Sequence, residues 1–333
     1  MGARFFLLLL LGCGSATVPP TSDPIAVGDP SGAEAESPSA VIEPPSGPAL
    51  PPIERELSEQ HDMIYVLARM GRYLLLGTQG GASIVDVPSG QRVAAYDEFI
   101  CSSAAVAHGA FWTGCDKRVL RWTPDEGWRE YLKNDENDAE YADVLVGPQG
   151  MLHAGYGAQQ WRYDPASDAF ASERVTFAGT YDATYFGGEL WTIRFMRSIA
   201  RQGTLIPVGS GTYPASNPRR LSIDSQGRLH VEDFDAGILR WNGQRFQPLP
   251  GLSEKGTGVD YDAARNRLWL LHYTDGLIVT VDDQVVQTVD LGDLSYMRAM
   301  LLEPDGSVWV AGWPGLVRVR WDEGDPVRED VLP

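Results

Sequence analysis

Ser307-Val308-Trp309-Val310-Ala311 is one of seven short apolar segments that recur along the chain. Each segment centres on a large or aromatic residue with apolar neighbours, the pattern of a buried β-strand. We call the seven central residues the aligned column: Leu75, Trp112, His153, Trp191, His230, Trp269 and Trp309. Their successive spacings are 37, 41, 38, 39, 39 and 40 residues. A period near 40 residues with several short strands per unit predicts an all-β fold, a seven-bladed β-propeller.

Turn-forming residues and further strands complete each repeat. Segments such as Pro304-Asp305-Gly306 lie between the first and second strands and suit tight hairpins. No segment shows a sustained helical period, so we expect minimal helix. Seven units fill residues 63–333, with the fourth, over 180–209, the least regular. The seventh blade should be complete through 327–331, and residues 53–57 are the segment expected to close the ring by adding to an edge.

The last repeat also carries a family resemblance. Residues 301–316 contain Asp305-Gly306, then Val308-Trp309-Val310, and end in Gly315-Leu316. This pattern resembles the repeats of two-component-regulator-type and NHL-like sensor propellers, and the segments 235–239 and 273–277 match its tail. The resemblance implies the propeller architecture over most of 63–333. It implies no particular ligand, because such propellers bind unrelated molecules.

The first residues have the features of an export signal. Met1–Arg4 is short and positively charged, and Phe5–Leu11 is an apolar run too short to span a bilayer. The sequence Leu10-Leu11-Gly12-Cys13 resembles the bacterial lipobox, which implies a signal peptide over 1–12 and lipidation of Cys13, including palmitate. Gly14 in place of an inner-membrane retention Asp favours the outer membrane by the same resemblance. We therefore expect a lipid-anchored protein of the cell envelope, attached to the membrane through the lipid only.

A proline-rich linker is predicted after Cys13, over residues 13–52. Between Gly14 and Pro52 lie ten prolines, five acidic residues, no aromatic residue and no Lys or Arg. Such a stretch cannot bury enough apolar surface to offset the entropy of ordering, so it is expected to be disordered. It would act as a semi-extended spacer that holds the propeller, residues 53–333, away from the membrane.

The net charge argues against a nucleic-acid partner, and the cysteine content predicts one crosslink. The formal net charge of −18 leaves no basic face for nucleic acid, so no nucleic-acid partner is expected. With Cys13 acylated, Cys101 and Cys115 form an even pair in an oxidising compartment. They fall nearly opposite each other across a hairpin, which predicts a disulfide; two free core thiols are the alternative.

Aromatic residues mark a candidate ligand site at one rim. The position four residues after the aligned column holds Phe195, Phe234, Tyr273 and Trp313 in four consecutive repeats. Loops after the second strands share one rim of a propeller, so these side chains are expected to line one sector of it. Aromatic faces at a concave mouth bind sugars, peptides and other flat ligands. The alternative is that the rings pack between neighbouring blades.

Evidence for a cofactor is slight. The acidic segment 134–140 contains Asp135 and Asp138, weak candidate ligands for Ca²⁺, but it lacks an EF-hand pattern and reads more simply as a solvated loop. His153 and His230 occupy the aligned column and are expected to face the core. No Ser-centred elbow, phosphate loop or metal-binding spacing is present in the sequence, so no catalytic residue or cofactor is identified.

Three functional hypotheses follow. The first is a propeller that binds a protein, small-molecule or carbohydrate ligand at its rim, without evident catalysis. The second is a metal-dependent hydrolase similar to gluconolactonase-type propellers, whose acidic and Asn-Gly motifs are missing here. The third is a scaffold of an envelope assembly complex. The arrangement of oxygen ligands in the central channel would distinguish the enzyme from a binding protein.

Overall fold

The structure, a computed structural model, describes residues 63–97, 100–133, 142–156, 159–173, 180–194, 198–322 and 325–332. These residues form seven four-stranded antiparallel sheets, and in every sheet the strands are neighbours in chain order. Each sheet is therefore one blade built from a continuous stretch of sequence, as the repeat predicts.

The strands of the seven blades have the following bounds. Blades 1 and 2 contain β1 (Ile64–Met70), β2 (Tyr73–Thr78), β3 (Gly81–Asp86), β4 (Gln91–Asp97), β5 (Cys101–Ala107), β6 (Ala110–Cys115), β7 (Arg118–Thr123) and β8 (Gly127–Lys133). Blades 3 and 4 contain β9 (Asp143–Val146), β10 (Leu152–Tyr156), β11 (Gln159–Asp164), β12 (Ala169–Glu173), β13 (Thr180–Phe186), β14 (Glu189–Arg194), β15 (Ser198–Arg201) and β16 (Thr204–Ile206). Blades 5 to 7 contain β17 (Pro218–Ile223), β18 (Leu229–Asp233), β19 (Gly237–Trp241), β20 (Phe246–Pro248), β21 (Gly256–Asp262), β22 (Arg267–His272), β23 (Gly276–Val281), β24 (Gln284–Val289), β25 (Ser295–Leu302), β26 (Val308–Trp313), β27 (Leu316–Asp322) and β28 (Asp325–Leu332).

The first strands of the blades form the inner ring of the propeller. Each of them contacts the first strand of the next blade, and β25 of blade 7 contacts β1 of blade 1. The ring therefore closes by packing of blade 7 on blade 1, with β28 completing blade 7. Residues 53–57, the segment expected to close the ring, lie outside the described residues, as do Cys13 and the predicted signal and linker.

The hydrophobic core lies mainly between blades. All seven residues of the aligned column are buried, with at most 3% of any of them exposed. Trp269 of blade 6 packs with Val308, Val317 and Trp321 of blade 7. A second cluster joins Leu74 and Leu76 of blade 1 to residues of blade 7, so apolar packing also holds the ring closed.

In two blades a carboxylate six residues before the aligned column bonds the ring of the column residue, a tryptophan in one blade and a histidine in the other. Trp309 donates Nε1–H to Glu303, six residues earlier, at 2.9 Å. His230 lies 2.9 Å from the carboxylate of Asp224, also six residues earlier, through Nε2. Both His230 and Asp224 are buried, and burial lowers the pKa of His230. The imidazole thus serves as a core side chain, as the repeat predicts.

The predicted cysteine pair is in direct register. Cys101 and Cys115 are cross-strand partners of β5 and β6, and their Sγ atoms lie 1.99 Å apart, at bonding distance. The crosslink joins residues 14 apart in sequence. In the chain-entropy model a loop of this length stabilises the fold by about 3 kcal/mol.

Helical structure is nearly absent from the part of the chain that the structure describes. Its single helical element is a short 3-10 turn at Pro148–Gly150. Within these described ranges, no helix is long and apolar enough to cross a bilayer.

Candidate functional site

A cavity of about 670 Å³ lies on the axis of the ring and receives residues from the first strand of every blade. We call it the channel cavity. It is lined by Tyr65, Val66, Ile100, Ser102, Ser103, Ala104, Asp143, Val144, Asp182, Arg219, Arg220, Leu221, Glu232, Phe234, Gly256, Thr257, Tyr273 and Arg298. Its volume falls in the range of sites for small molecules or short peptide segments.

β-bulges direct side chains into the channel cavity. Register shifts interrupt the pairing of β1, β5, β17 and β21 just after the first residue of each strand. The extra residues at these shifts are Tyr65, Ser102, Arg219 and Thr257, and all four line the cavity. A bulge adds one unpaired residue and re-aims its side chain. The cavity surface is thus set by a repeated irregularity of the inner strands.

The predicted rim position joins consecutive blades through its backbone. Phe234 donates its N–H to Asn217 of its own blade, and its carbonyl accepts from Lys255 of the next. Tyr273 repeats the arrangement, donating to Lys255 and accepting from Met297. The backbone at this position is therefore a link between blades, and its side chain is fixed beside the cavity.

Two of the four predicted rim aromatics meet at the cavity. The rings of Phe234 and Tyr273 lie 6.1 Å apart, nearly edge to face. The ring of Tyr296 lies 5.3 Å from that of Tyr273 and extends the row toward blade 7. Trp313 is 42% exposed and does not line the cavity, and Phe195 lies outside the described residues. The aromatic row therefore spans blades 5 to 7: Phe234 and Tyr273 line the cavity, and Tyr296, which sequence reasoning missed, continues the row outside the cavity lining.

Three arginines line the cavity, and two of them lie over its aromatic rings. The guanidinium of Arg219 lies 5.6 Å from the ring centre of Phe234. That of Arg298 lies 5.2 Å from the ring centre of Tyr273 and 5.8 Å from that of Tyr65. Arg220 crosses the channel from blade 5 and donates to the carbonyls of Arg298 in blade 7 and Tyr65 in blade 1, at 3.1 and 3.5 Å. One side of the cavity is consequently cationic and aromatic.

Three carboxyl groups also line the cavity, Asp143 and Asp182 from blades 3 and 4 and Glu232 from blade 5. Burial raises the pKa of Asp143 to about 8, and the neighbouring Asp182 adds to the shift. Burial likewise raises the pKa of Glu232 to about 7, against the opposing effect of Arg220. The pKa of Asp182 rises to about 6, because burial outweighs the Leu221 N–H that donates to its carboxylate at 2.5 Å. These groups are thus partly protonated near neutral pH.

The predicted metal ligands stay untested. Asp135 and Asp138 lie outside the described residues. Within the described ranges, no group of three or more His, Cys, Asp or Glu side chains is arranged to hold a metal ion.

A sequence signal for most of the missed channel residues exists in the first strands. Asp143, Asp182, Arg220 and Arg298 stand 10, 9, 10 and 11 positions before the aligned-column residue of their own repeat, by subtraction from 153, 191, 230 and 309. A charged residue 9 to 11 positions before the aligned column, in an otherwise apolar first strand, marks a side chain that lines the channel cavity. Reading this column as well as the rim would have located the cavity.

Comparison with known proteins supports the fold. No protein-family model and no curated protein matches the chain. The structure of YCF48 bound to D1 peptide matches with a TM-score of 0.63 and 13% identity, over 85% of this chain and 99% of that one. The computationally designed Ika8 protein matches with a TM-score of 0.55 and 13% identity, over 78% and 83%.

A third match is the extracellular domain of the one-component system BT4673 from B. thetaiotaomicron. It has a TM-score of 0.38 and 13% identity over 80% of this chain, which spans 49% of that protein. At such identities the first two likenesses concern the fold alone. Together with the seven four-stranded sheets, they show that this chain is a seven-bladed β-propeller.

Proposed function

We propose that this protein is a binding module of the bacterial cell envelope and that its channel cavity receives a ligand or a segment of a partner protein. The observation that carries the proposal is the cavity itself, about 670 Å³ in volume and lined by all seven inner strands. It combines an aromatic row, two arginines beside that row and a few polar groups on a rigid ring. This is the composition of a recognition site.

A protein or peptide is the occupant that the comparisons favour. The neighbour with the higher TM-score is described as bound to a peptide. Its likeness to this chain supports the proposal that an extended segment of a partner enters the cavity. The resemblance of the last repeat to sensor propellers supports a binding role in general and does not distinguish between ligands.

We further propose that the N-terminal sequence delivers and anchors the propeller. Residues 1–12 serve as a lipoprotein signal peptide, Cys13 carries the lipid, and residues 13–52 are the spacer before the propeller at 53–333. The lipobox-like Leu10-Leu11-Gly12-Cys13 and the ten prolines of the linker support this arrangement. The protein would then be held at the outer membrane with its cavity free to meet a partner.

The test is affinity capture from membrane extracts with residues 14–333. We expect Phe234→Ala/Tyr273→Ala to capture about tenfold less of a specific partner than the wild type, because aromatic anchors carry much of the energy of such interfaces. Far-UV circular dichroism of each variant checks the fold.

The matched control is Val285→Ala/Val286→Ala, which changes two exposed residues of the outermost strand of blade 6. It should capture as much partner as the wild type. Equal capture by the Phe234→Ala/Tyr273→Ala variant would refute the cavity as the binding site, and so would a loss confined to the outer-strand control.

A further inference from the structure

We propose that the channel cavity binds an organic carboxylate attached to an aromatic or aliphatic group, with Arg219 and Arg298 holding the carboxylate. This inference rests on the proposed function, because it specifies the ligand of the same cavity. The sources of such a group are a small organic acid or a peptide that ends in an apolar residue.

Arg219 has the geometry of a ligand-binding arginine. Its side chain is exposed at the cavity wall, and its guanidinium makes no hydrogen bond or ion pair with the residues that the structure describes. The ring of Phe234 supports one face of the guanidinium at 5.6 Å. The planar group therefore keeps its N–H donors available, and that fork matches the two oxygens of a carboxylate.

Arg298 supplies a second cation from another blade. Its Nη2 donates to the hydroxyl of Tyr273 at 3.3 Å, and its guanidinium lies within 6 Å of two aromatic ring centres. These contacts orient the side chain without neutralising it, since both partners are uncharged. Arg220, in contrast, is held by two carbonyls across the channel and acts as a brace between blades.

The charge balance of the cavity favours an anion near neutral pH. Its ionisable lining groups are Tyr65, Asp143, Asp182, Arg219, Arg220, Glu232, Tyr273 and Arg298. The three arginines are permanently charged, whereas burial keeps Asp143 largely and Glu232 partly protonated. Among the described residues the carboxylate of Asp143 has no hydrogen-bond partner, and the effects of burial and of Asp182 on its pKa outweigh the opposing effect of Arg220. The cationic side therefore exceeds the acidic side in charge.

The aromatic row provides the apolar part of the site. Phe234 and Tyr273 present ring surface to the cavity beside the two arginines, and Tyr296 packs against Tyr273 outside the cavity lining. A ligand whose carboxylate meets Arg219 can therefore lay an apolar group on the same wall. This combination selects an apolar acid over a bare anion such as phosphate.

The test compares three probes of nearly equal shape and different charge: 4-phenylbutyrate, 4-phenylbutyramide and 4-phenylbutylamine. Binding to residues 14–333 is measured by ligand-observed NMR titration and calorimetry. We expect the carboxylate to bind about tenfold or more tightly than the amide, and the ammonium to bind most weakly, because only the carboxylate forms charge-assisted hydrogen bonds with the arginines. A parallel pair, acetyl-Gly-Phe with a free carboxylate and with a C-terminal amide, tells the two sources apart.

Substitutions locate the binding. Arg219→Gln and Arg298→Gln should each weaken 4-phenylbutyrate binding by about tenfold, and Arg219→Lys should restore only part of it. Arg245→Gln, an exposed arginine of the same blade outside the cavity, should have no effect. Because the Arg219 side chain is exposed, its substitution removes no buried packing contact, so a loss of affinity reports on the site itself.

The pH dependence supplies a second readout. Affinity for the carboxylate should fall as the pH rises from about 6 to about 8, because Asp182, Glu232 and Asp143 lose their protons over that range and repel the ligand. Asp143→Asn should flatten the upper part of this profile.

Tighter binding of the ammonium than of the carboxylate, equal binding of all three probes, or no binding of any probe would overturn the inference. The proposed function would still stand in each case if the captured partner depends on Phe234 and Tyr273. If that capture does not depend on them but 4-phenylbutyrate binds at Arg219, the proposed function fails instead.

Discussion

Replacing Trp269 with alanine should lower the free energy of unfolding by about 3–5 kcal/mol. Trp269 is fully buried in the second strand of blade 6, and its ring packs 5.7 Å from that of Trp321 in blade 7. Its removal leaves a cavity between two blades whose strands are fixed by their own hydrogen bonds. The surrounding side chains can therefore fill the new cavity only partly, and an unfilled cavity makes the loss of stability large.

Urea unfolding followed by far-UV circular dichroism measures this loss. The control is Trp313→Ala, because Trp313 is 42% exposed at the rim and should cost less than about 1 kcal/mol. Similar losses for both variants would mean that the aligned column is not the interface core of the propeller.

Replacing Gly114 with valine should destabilise the fold by about 3 kcal/mol or more. A Cβ atom at this position would lie 1.8 Å from the carbonyl oxygen of Ala142 and 2.6 Å from Ser103 Oγ. Ser103 bridges the same seam, donating to Ala142 O and accepting from the Val144 N–H, both at 3.1 Å. A side chain at 114 must separate blade 3 from blade 2 and break this bridge.

Gly211→Ala is the matched control for Gly114→Val. A Cβ at Gly211 meets no atom within 4 Å, so this substitution should change stability by less than about 0.5 kcal/mol. Thermal and urea unfolding of the two variants are compared with the wild type. A Gly114→Val protein as stable as wild type would contradict the close approach of these two blades.

The number of blades was predictable because the repeat imposes one column of buried residues. Trp112, Trp191, Trp269 and Trp309 stand one or two repeat lengths apart, and the physical need to fill each interface between blades keeps large side chains there. His230 fits the same column because the buried carboxylate of Asp224 bonds its Nε2. The turns between the strands were also predictable, since Gly, Asp and Asn mark them.

The candidate site was predictable only in part. Phe234 and Tyr273 were found because they follow the aligned column at a fixed distance. Arg219 and Tyr65 were missed because bulges, which sequence periodicity does not reveal, direct them to the axis. Glu232 lies two residues after the aligned column, at a position that is glycine in blades 1 and 2 (Gly77 and Gly114). A large charged side chain at a position that is otherwise glycine is a sequence signal that would have identified Glu232.

The distribution of charge around the cavity also depends on the closed ring. The aromatic and cationic wall belongs to blades 5 to 7, whereas Asp143 and Asp182 come from blades 3 and 4. A closed ring brings residues together that are far apart in sequence. Their combined charge, which determines the class of ligand, follows from the closed ring and from no single repeat.

Photo-crosslinking in the native host tests the central claim, that the channel cavity is the binding site, most directly. A benzoylphenylalanine placed at Thr257, inside the cavity, is compared with one at Arg245, an exposed residue outside it. We predict a covalent adduct from position 257 and none from position 245, detected by gel for a protein partner and by intact mass for a small ligand. Adducts from position 245 without any from position 257 would contradict the claim.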